Sequence, residues 1–219
     1  IKDLIHSAFS NAGQKCSATS LAILEAEVYD DPHFCKGLKE AAASMKVGPS
    51  WDLATRINPL IHEPRGELKR GLTTLEEGET WLLEPKQDPQ NPSLWSPGIK
   101  MGVCPGSFTH MTELFGPVLG IMRADHLDHS IQLANAVPYG LTSGLQSLDA
   151  REQARWTDQI VAGNLYINRG TTGAVVRRQP FGGCKASSVG GGAKAGGPNY
   201  LREFMDATQV GLPQEKQPV

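Results

Sequence analysis

A surplus of positive charge is missing from this chain: 21 Lys and Arg stand against 23 Asp and Glu, a formal net charge of −2. That excludes an electrostatic footprint for nucleic acid and a polybasic patch for an anionic membrane surface. Long apolar runs are missing too. None approaches the ~20 residues that a membrane-spanning helix needs, and no signal-peptide pattern is visible. Cysteine is sparse, four in 219 residues, at 16, 35, 104 and 184 without a CxxC pair. A dense disulfide framework is excluded, the thiols are expected to be free, and the expected compartment is the reducing cytoplasm. No GxGxxG follows a candidate strand and no Gly-Lys pair occurs, so neither of those phosphate-binding fingerprints is present. The six histidines are scattered. His126 and His129 share helical spacing but lack the further ligands of a metal site, and they are read as solvated. An initiator methionine is also missing. Ile1 opens straight into a helical pattern, as expected of a piece of a longer protein.

What is present is an ordinary globular composition, 39% apolar and 20% charged, over a length sufficient for one sizeable core. A helix is expected over 2–10, stopped by the Asn11–Gly13 turn, followed by a buried strand over 21–28. Asp31 and Pro32 form a helix start, and Phe34, Leu38, Ala41, Ala42 and Met45 lie on one face of the helix that follows. A shorter helix through Leu68, Leu72 and Leu75 is expected to close at Gly78. Strands are expected over 80–84, 99–104, 117–122, 142–148 and 164–168. Helices carrying Leu127–Ala134 and Trp156–Ile160 fall between them, the second opened by an Asp149–Glu152 capping box. Cys35 and Cys104 are read as packing residues, and Cys184 as an oxidisable bystander. Residues 170–197 are glycine-dense and read as a long structured loop. Strands alternating with helices indicate an α/β fold with a mostly parallel sheet, its chemistry in the loops at strand ends. The unusual loops are 10–17, 105–117 and 168–198.

Cys16 ends the polar turn "NAGQK" between two apolar runs, not inside either. The thiolate is the reactive form, and an ordinary cysteine has a pKa of ~8.5, lowered by nearby positive charge or backbone N–H groups. Lys15 is adjacent, and the small residues at 12, 13, 17 and 18 let amides approach. A carbonyl attacked by this sulfur would develop an oxyanion that the Cys16 amide could accept. On local chemistry alone, a nucleophile and a half-buried structural cysteine remain equally open.

Three segments together narrow this choice. "NAGQKCSA" (11–18) resembles the catalytic cysteine segment of the aldehyde dehydrogenase superfamily, "ELFGPV" (113–118) its cofactor segment, and "QPFGGCKAS" (179–187) its substrate-side loop. They occur in the superfamily's order and at about its spacing. The match runs over essentially the whole chain. It is nearest to the glutamate-semialdehyde (pyrroline-5-carboxylate) dehydrogenases, and within them to the dehydrogenase part of the bifunctional proline utilisation A enzymes. "NRGTTGAVVRRQPFGG" (168–183) and "GAKAGGPNYL" (192–201) carry that nearer likeness.

The resemblance implies a three-layer α/β/α catalytic domain over 1–198, truncated on its N-terminal side, and a tail over 199–219. Residues 200–212 of that region could supply an assembly strand. It implies Cys16 as the nucleophile that forms a hemithioacetal and then a thioester. Glu113 is implied to hydrogen-bond the nicotinamide ribose of NAD, with Phe115 beside the nicotinamide. A carboxylate accepting two ribose hydroxyls would orient the ring for hydride transfer. Phe181 would line the aldehyde tunnel. Gly196 and Gly197 would hold the substrate's far carboxylate through backbone N–H groups, where glycine allows close approach. Lys15 and Ser17 would assist, and Phe204 would pack on the aliphatic stem. Val189 and the Gly190–Gly192 run depart from the relatives' aromatic and Gly-Pro-Gly pattern, which implies a looser anchor loop.

The implied partners are a small aldehyde, a fused proline dehydrogenase domain upstream and further copies of the chain. Nucleic acid and a membrane span are not among them. Another aldehyde dehydrogenase specificity, or a non-catalytic oligomerisation module of the same fold, are the competing readings. The superfamily's general-base glutamate, its oxyanion asparagine and most of its NAD-binding domain precede the cysteine, whereas only fifteen residues do so here. The 219 residues alone are therefore expected to show no steady NADH production from glutamate semialdehyde. Absorbance at the NADH band with the purified piece checks this, and sustained turnover would refute it.

Overall fold

A computed structural model describes residues 1–190, 192–206, 208 and 210. Helix α1 (Lys2–Phe9) buries Ile5, Ala8 and Phe9. It ends in a 3-10 turn, Ser10–Gly13, because Asn11, Ala12 and Gly13 all take left-handed backbone angles (φ 57°, 52° and 69°). Strand β1 (Leu21–Glu25) is shorter than its apolar run, since residues Ala26–Tyr29 wind into the one-turn helix α2. That turn is held from outside by Arg123, whose Nη2 donates to Asp30 Oδ2 at 2.8 Å. Helix α3 (Pro32–Ala43) starts as expected, Asp31 Oδ1 accepting the His33 N–H at 2.8 Å, and it buries Leu38 and Ala42.

Helix α4 (Gly66–Thr73) stops before Leu75, contrary to the reading that ran it to Gly78. Thr74 is extended, and its carbonyl accepts from Lys100 Nζ at 2.7 Å, so it leaves the helical path. Strands β2 (Thr80–Leu83) and β3 (Gly98–Met101), the short helix α5 (Phe108–Met111) and strand β4 (Val118–Ala124) follow. Next come α6 (Leu127–Ala136), β5 (Tyr139–Gly140), β6 (Thr142–Leu145), α7 (Ala150–Gln159), β7 (Asn164–Ile167), β8 (Cys184–Lys185) and a 3-10 turn at Tyr200–Phe204.

The main sheet runs β1-β4-β3-β2, with β4 parallel to both neighbours and β2 an antiparallel edge. Leu119 and Ile121 on central β4, Ile99 on β3 and Phe9 of α1 are fully buried. That matches the continuous apolar run of a strand covered on both faces. Strands β6 and β7 form a separate parallel pair, and β5 and β8 an antiparallel one. The sheet is thus mostly parallel and the class α/β, as expected. Helices α6 and α7 bury Ile131, Trp156 and Ile160 against each other. Among the described residues no helix is long and apolar enough to cross a membrane.

Several local readings need correction. His126 is not merely solvated: its Nδ1 accepts the His129 N–H at 3.3 Å and caps α6. At α7 Asp149 caps as expected, but Glu152 accepts from the Ser147 hydroxyl, so the box does not close. Cys104 lies exposed beyond the end of β3 and is no packing residue. The glycine-dense loop contains β8 and a bridge between Phe181 and Ala195. Residues 200–204 form a 3-10 turn and not a strand. Positions 207, 209 and 211–219 lie outside the described residues, so this part of the tail reading is not addressed. Replacing the α3 cap, Asp31→Ala, is expected to lower stability by ~1 kcal/mol, read as a shift in the urea midpoint with an unchanged slope.

Candidate active site

The two loops implicated by the sequence meet because the strands they feed are neighbours. In the parallel β1–β4 pair Leu21 lies opposite Gly120, so the chain entering β1 and the chain entering β4 arrive side by side. Cys16 precedes β1 and Glu113 precedes β4, which places both at the amino ends of their strands. Open α/β sheets more often use the carboxyl ends.

Contact between the loops is close. A Cβ on Gly13 would lie 2.2 Å from the Gly116 carbonyl oxygen, and its φ of +69° is itself a glycine conformation. Gln14, which the sequence reading passed over, joins the loops with its side chain. Its Nε2 donates to Phe115 O at 3.3 Å and its Oε1 accepts from Ile61 N at 3.0 Å. Gly116 sits against Leu68 of α4, and Leu114 is buried against Gly71 of the same helix.

The turn of residues 15–18 is closed by Ala18 N–H donating to Lys15 O at 3.0 Å, which leaves Lys15 and Cys16 exposed. Ser17 is buried, and its carbonyl accepts from Thr171 Oγ1 at 2.8 Å. The Thr171 N–H donates to buried Ser7 Oγ at 3.0 Å, and Ser7 O accepts from Thr19 N at 3.1 Å. Ser7, Thr19 and Thr171 thus weld the loop after β7 to the cysteine turn. Their sequence positions are 7, 19 and 171, so no local pattern announces them. Tyr166 of β7 is buried, with the Arg169 guanidinium 5.3 Å from its ring centre. Burial pushes its phenol pKa up, Arg169 opposes, and Cys16 adds to the rise.

On the facing loop, Glu113 Oε1 accepts the Phe115 N–H at 3.1 Å. The carboxyl pKa is raised because surrounding protein strips water from it, the Phe115 N–H bond partly compensating. Phe115 holds a left-handed φ of 52° and leaves its ring partly exposed at the surface. An uncovered flat ring beside a carboxylate with spare acceptor capacity suits a nicotinamide ribose, so these residues fit the implied cofactor.

The residues that the sequence resemblance implies for the substrate side form a second cluster around the start of β7. Phe181 is half-buried and exchanges backbone bonds with Ala195 at 3.0 and 2.9 Å. Asn164 accepts from Gly182 N at 3.0 Å and donates to Pro180 O at 2.9 Å. Lys194 reaches the carbonyls of Gly163 and Gly182. Neither Asn164 nor Lys194 stands out in the sequence, since the partners of both are remote backbone groups. Gly196 has φ +70° and packs on the Val176–Arg177 backbone. The Gly197 N–H is already engaged with Lys194 O at 2.9 Å, so the anchoring reading rests on Gly196. Phe204 is exposed, its ring edge-on to Tyr200 at 5.4 Å. Among the described residues no hydrogen bond or ring contact joins Gly196, Gly197 or Phe204 to the Cys16 turn. A recess of about 550 Å³ between α6 and α7, lined by Ile131, Asn135, Arg155 and Gln159, shares no residue with either cluster.

Comparison with known proteins accounts for this arrangement. A model of the aldehyde dehydrogenase family matches residues 1–210, and the chain belongs to that family. It is 36% identical over 208 residues to the 1-pyrroline-5-carboxylate dehydrogenase of Bacillus subtilis, covering 93% of this chain and 39% of the relative. Among solved structures, proline utilization A from Corynebacterium freiburgense matches with a TM-score of 0.89 and 49% identity, over 97% of this chain and 22% of that one. A Thermus 1-pyrroline-5-carboxylate dehydrogenase with bound NAD matches with a TM-score of 0.82 and 30% identity, over 94% of this chain and 39% of that one. The chain therefore spans about 40% of the length of the curated relatives it matches.

Gly13→Ala is expected to force the two loops apart and lower dehydrogenase activity of the full-length enzyme at least tenfold. Gly106→Ala is the control: φ is similar (+76°) but nothing lies within 4 Å of the added carbon. Its activity is expected to stay within about twofold, since both variants share a left-handed backbone penalty of roughly 1–2 kcal/mol and only Gly13→Ala adds a clash. Equal losses in the two would show that the close approach is immaterial.

Proposed function

We propose that this chain is the catalytic region of an NAD-dependent L-glutamate γ-semialdehyde dehydrogenase, acting in proline catabolism within a longer, cytoplasmic, oligomeric polypeptide. The observation that carries the reading is the interlock of Gly13–Gln14 with Phe115–Gly116, which ties the loop of the exposed Cys16 to the loop of Glu113 and Phe115. The names and structures of the relatives support the substrate. The likeness to proline utilization A supports a proline dehydrogenase domain fused upstream.

In this reading Cys16 attacks the aldehyde carbon and carries the substrate as a hemithioacetal. The Cys16 amide stabilises the oxyanion. Loss of hydride leaves a thioester on the same sulfur, which water then cleaves to L-glutamate. NAD, when bound, is the hydride acceptor; Glu113 and Phe115 are the residues of this chain that would hold its nicotinamide ribose end. Lys15, Ser17, Phe181, Gly196, Gly197 and Phe204 line the path of a short substrate with a charged amino-acid end. Two distant polar grips suit such a molecule, where a fatty aldehyde would need an apolar wall.

The test uses the full-length enzyme. Wild type is expected to oxidise glutamate semialdehyde with NAD in preference to an unbranched aliphatic aldehyde of similar length. Cys16→Ala is expected to reduce kcat on the order of 10³-fold or more while the protein stays folded. Preference for the aliphatic aldehyde would overturn the substrate assignment, and retained activity in Cys16→Ala would overturn the nucleophile.

A further inference from the structure

A buried charge network that the mechanism does not use lies directly behind the Glu113 loop. Lys100 on β3 is fully buried in a position that sequence pattern reads as core. It pairs across the sheet with Gly120, which has no side chain, and Thr109 of α5 fills that space, its Cγ2 3.0 Å from where a Cβ would be. The gap lets Lys100 Nζ donate to Thr109 Oγ1 at 3.3 Å, as well as to Glu79 Oε2 at 2.9 Å and Thr74 O at 2.7 Å. Glu79 Oε2 also accepts from the Glu76 N–H at 3.0 Å. The Glu76 carboxylate grips Arg70 through two bonds of 2.8 Å, and the Arg70 guanidinium stacks 4.0 Å from the Phe108 ring centre. Both ends of the network therefore close on α5, at Phe108 and at Thr109. That helix ends at Met111, and Glu113 follows two residues later.

Stability does not account for such a pair. Two desolvated charges are commonly no better than well-packed apolar side chains of similar volume, and Glu79 Oε1 has no hydrogen-bond partner among the described residues. What an ammonium with three fixed acceptors supplies is direction. It locks α5 to β3 at one register, which packed hydrocarbon does loosely.

We propose that Lys100 is a positioning residue for NAD binding, pinning α5 through Thr109 so that the Glu113 carboxylate is held at the height of the cofactor's ribose. The inference rests on the cofactor role proposed for Glu113. Lys100→Met alone would strand a buried Glu79, so the informative variant is Lys100→Met with Glu79→Met, which removes both charges together. In the full-length enzyme this pair is expected to raise KM and the directly measured Kd for NAD about tenfold. kcat at saturating NAD and the rate of Cys16 alkylation by iodoacetamide are expected to change less than twofold. Thr109→Val, which deletes only the acceptor on α5, is expected to shift the NAD constants the same way by a smaller factor, and it carries the test if the double variant does not fold. Unchanged NAD affinity in these variants, alongside weakened affinity in Glu113→Gln, would overturn the inference. Unchanged affinity in Glu113→Gln itself would overturn the cofactor role of Glu113 and the inference with it.

Discussion

The site depends on one contact, the Gly13 backbone lying against the Gly116 carbonyl with no room for a carbon between them. The contact exists because β1 and β4 are adjacent and parallel, so the chain must approach both from the same side. Cys16 follows Gly13 by three residues and Glu113 precedes Gly116 by three, so the glycine contact joins the two loops that carry them. Left-handed angles at Asn11, Ala12 and Phe115 accompany it, and such conformations persist only where their surroundings enforce them. Gln14 is part of that enforcement, since one amide group satisfies backbone atoms of two other segments.

Polar groups, more than apolar contacts, fix the positions of the loops. Ser7, Ser17 and Lys100 are buried, and each takes part in bonds joining segments distant in sequence. A buried polar atom is costly unless bonded, so each bond made this way excludes neighbouring arrangements that would leave it unmade. The apolar core under the main sheet, with Phe9, Leu38, Ile99 and Leu119, tolerates small shifts by comparison and sets the class of fold, not the angstrom-scale placement of a sulfur.

The substrate-side cluster has a different construction. It hangs on the short β6–β7 pair and on β8, and its ties are side chain to backbone: Asn164 to Pro180 and Gly182, Lys194 to Gly163 and Gly182. Its tie to the cysteine turn runs through Thr171, bonded to Ser7 and to the Ser17 carbonyl. A loop held by few bonds can vary while its neighbours stay put, because the Cys16 turn and the Glu113 loop are tied to the main sheet independently of it.

Much of this was legible along the chain. Periodicity, the Asp31–Pro32 start and the glycine turn after α1 gave helices and strands nearly in place, because those signals act over a few residues. The expectation for Cys16, Glu113 and Phe115 rests likewise on the short segments around them. The errors arose where a distant group intervened. Thr74 left the α4 helix because Lys100 takes its carbonyl, and the run after Glu25 coiled into α2 because Asp30 meets Arg123. Gln14, Ser7, Thr171, Asn164 and Lys194 were passed over since each looks like an ordinary polar surface residue until its partner is known. The sequence by itself determined the class of fold and which residue types the two loops carry, both written in local pattern. Only the tertiary structure decided which loops touch and which charges are buried, because parallel pairing and hydrogen bonds between remote segments have no signature in any one stretch of chain.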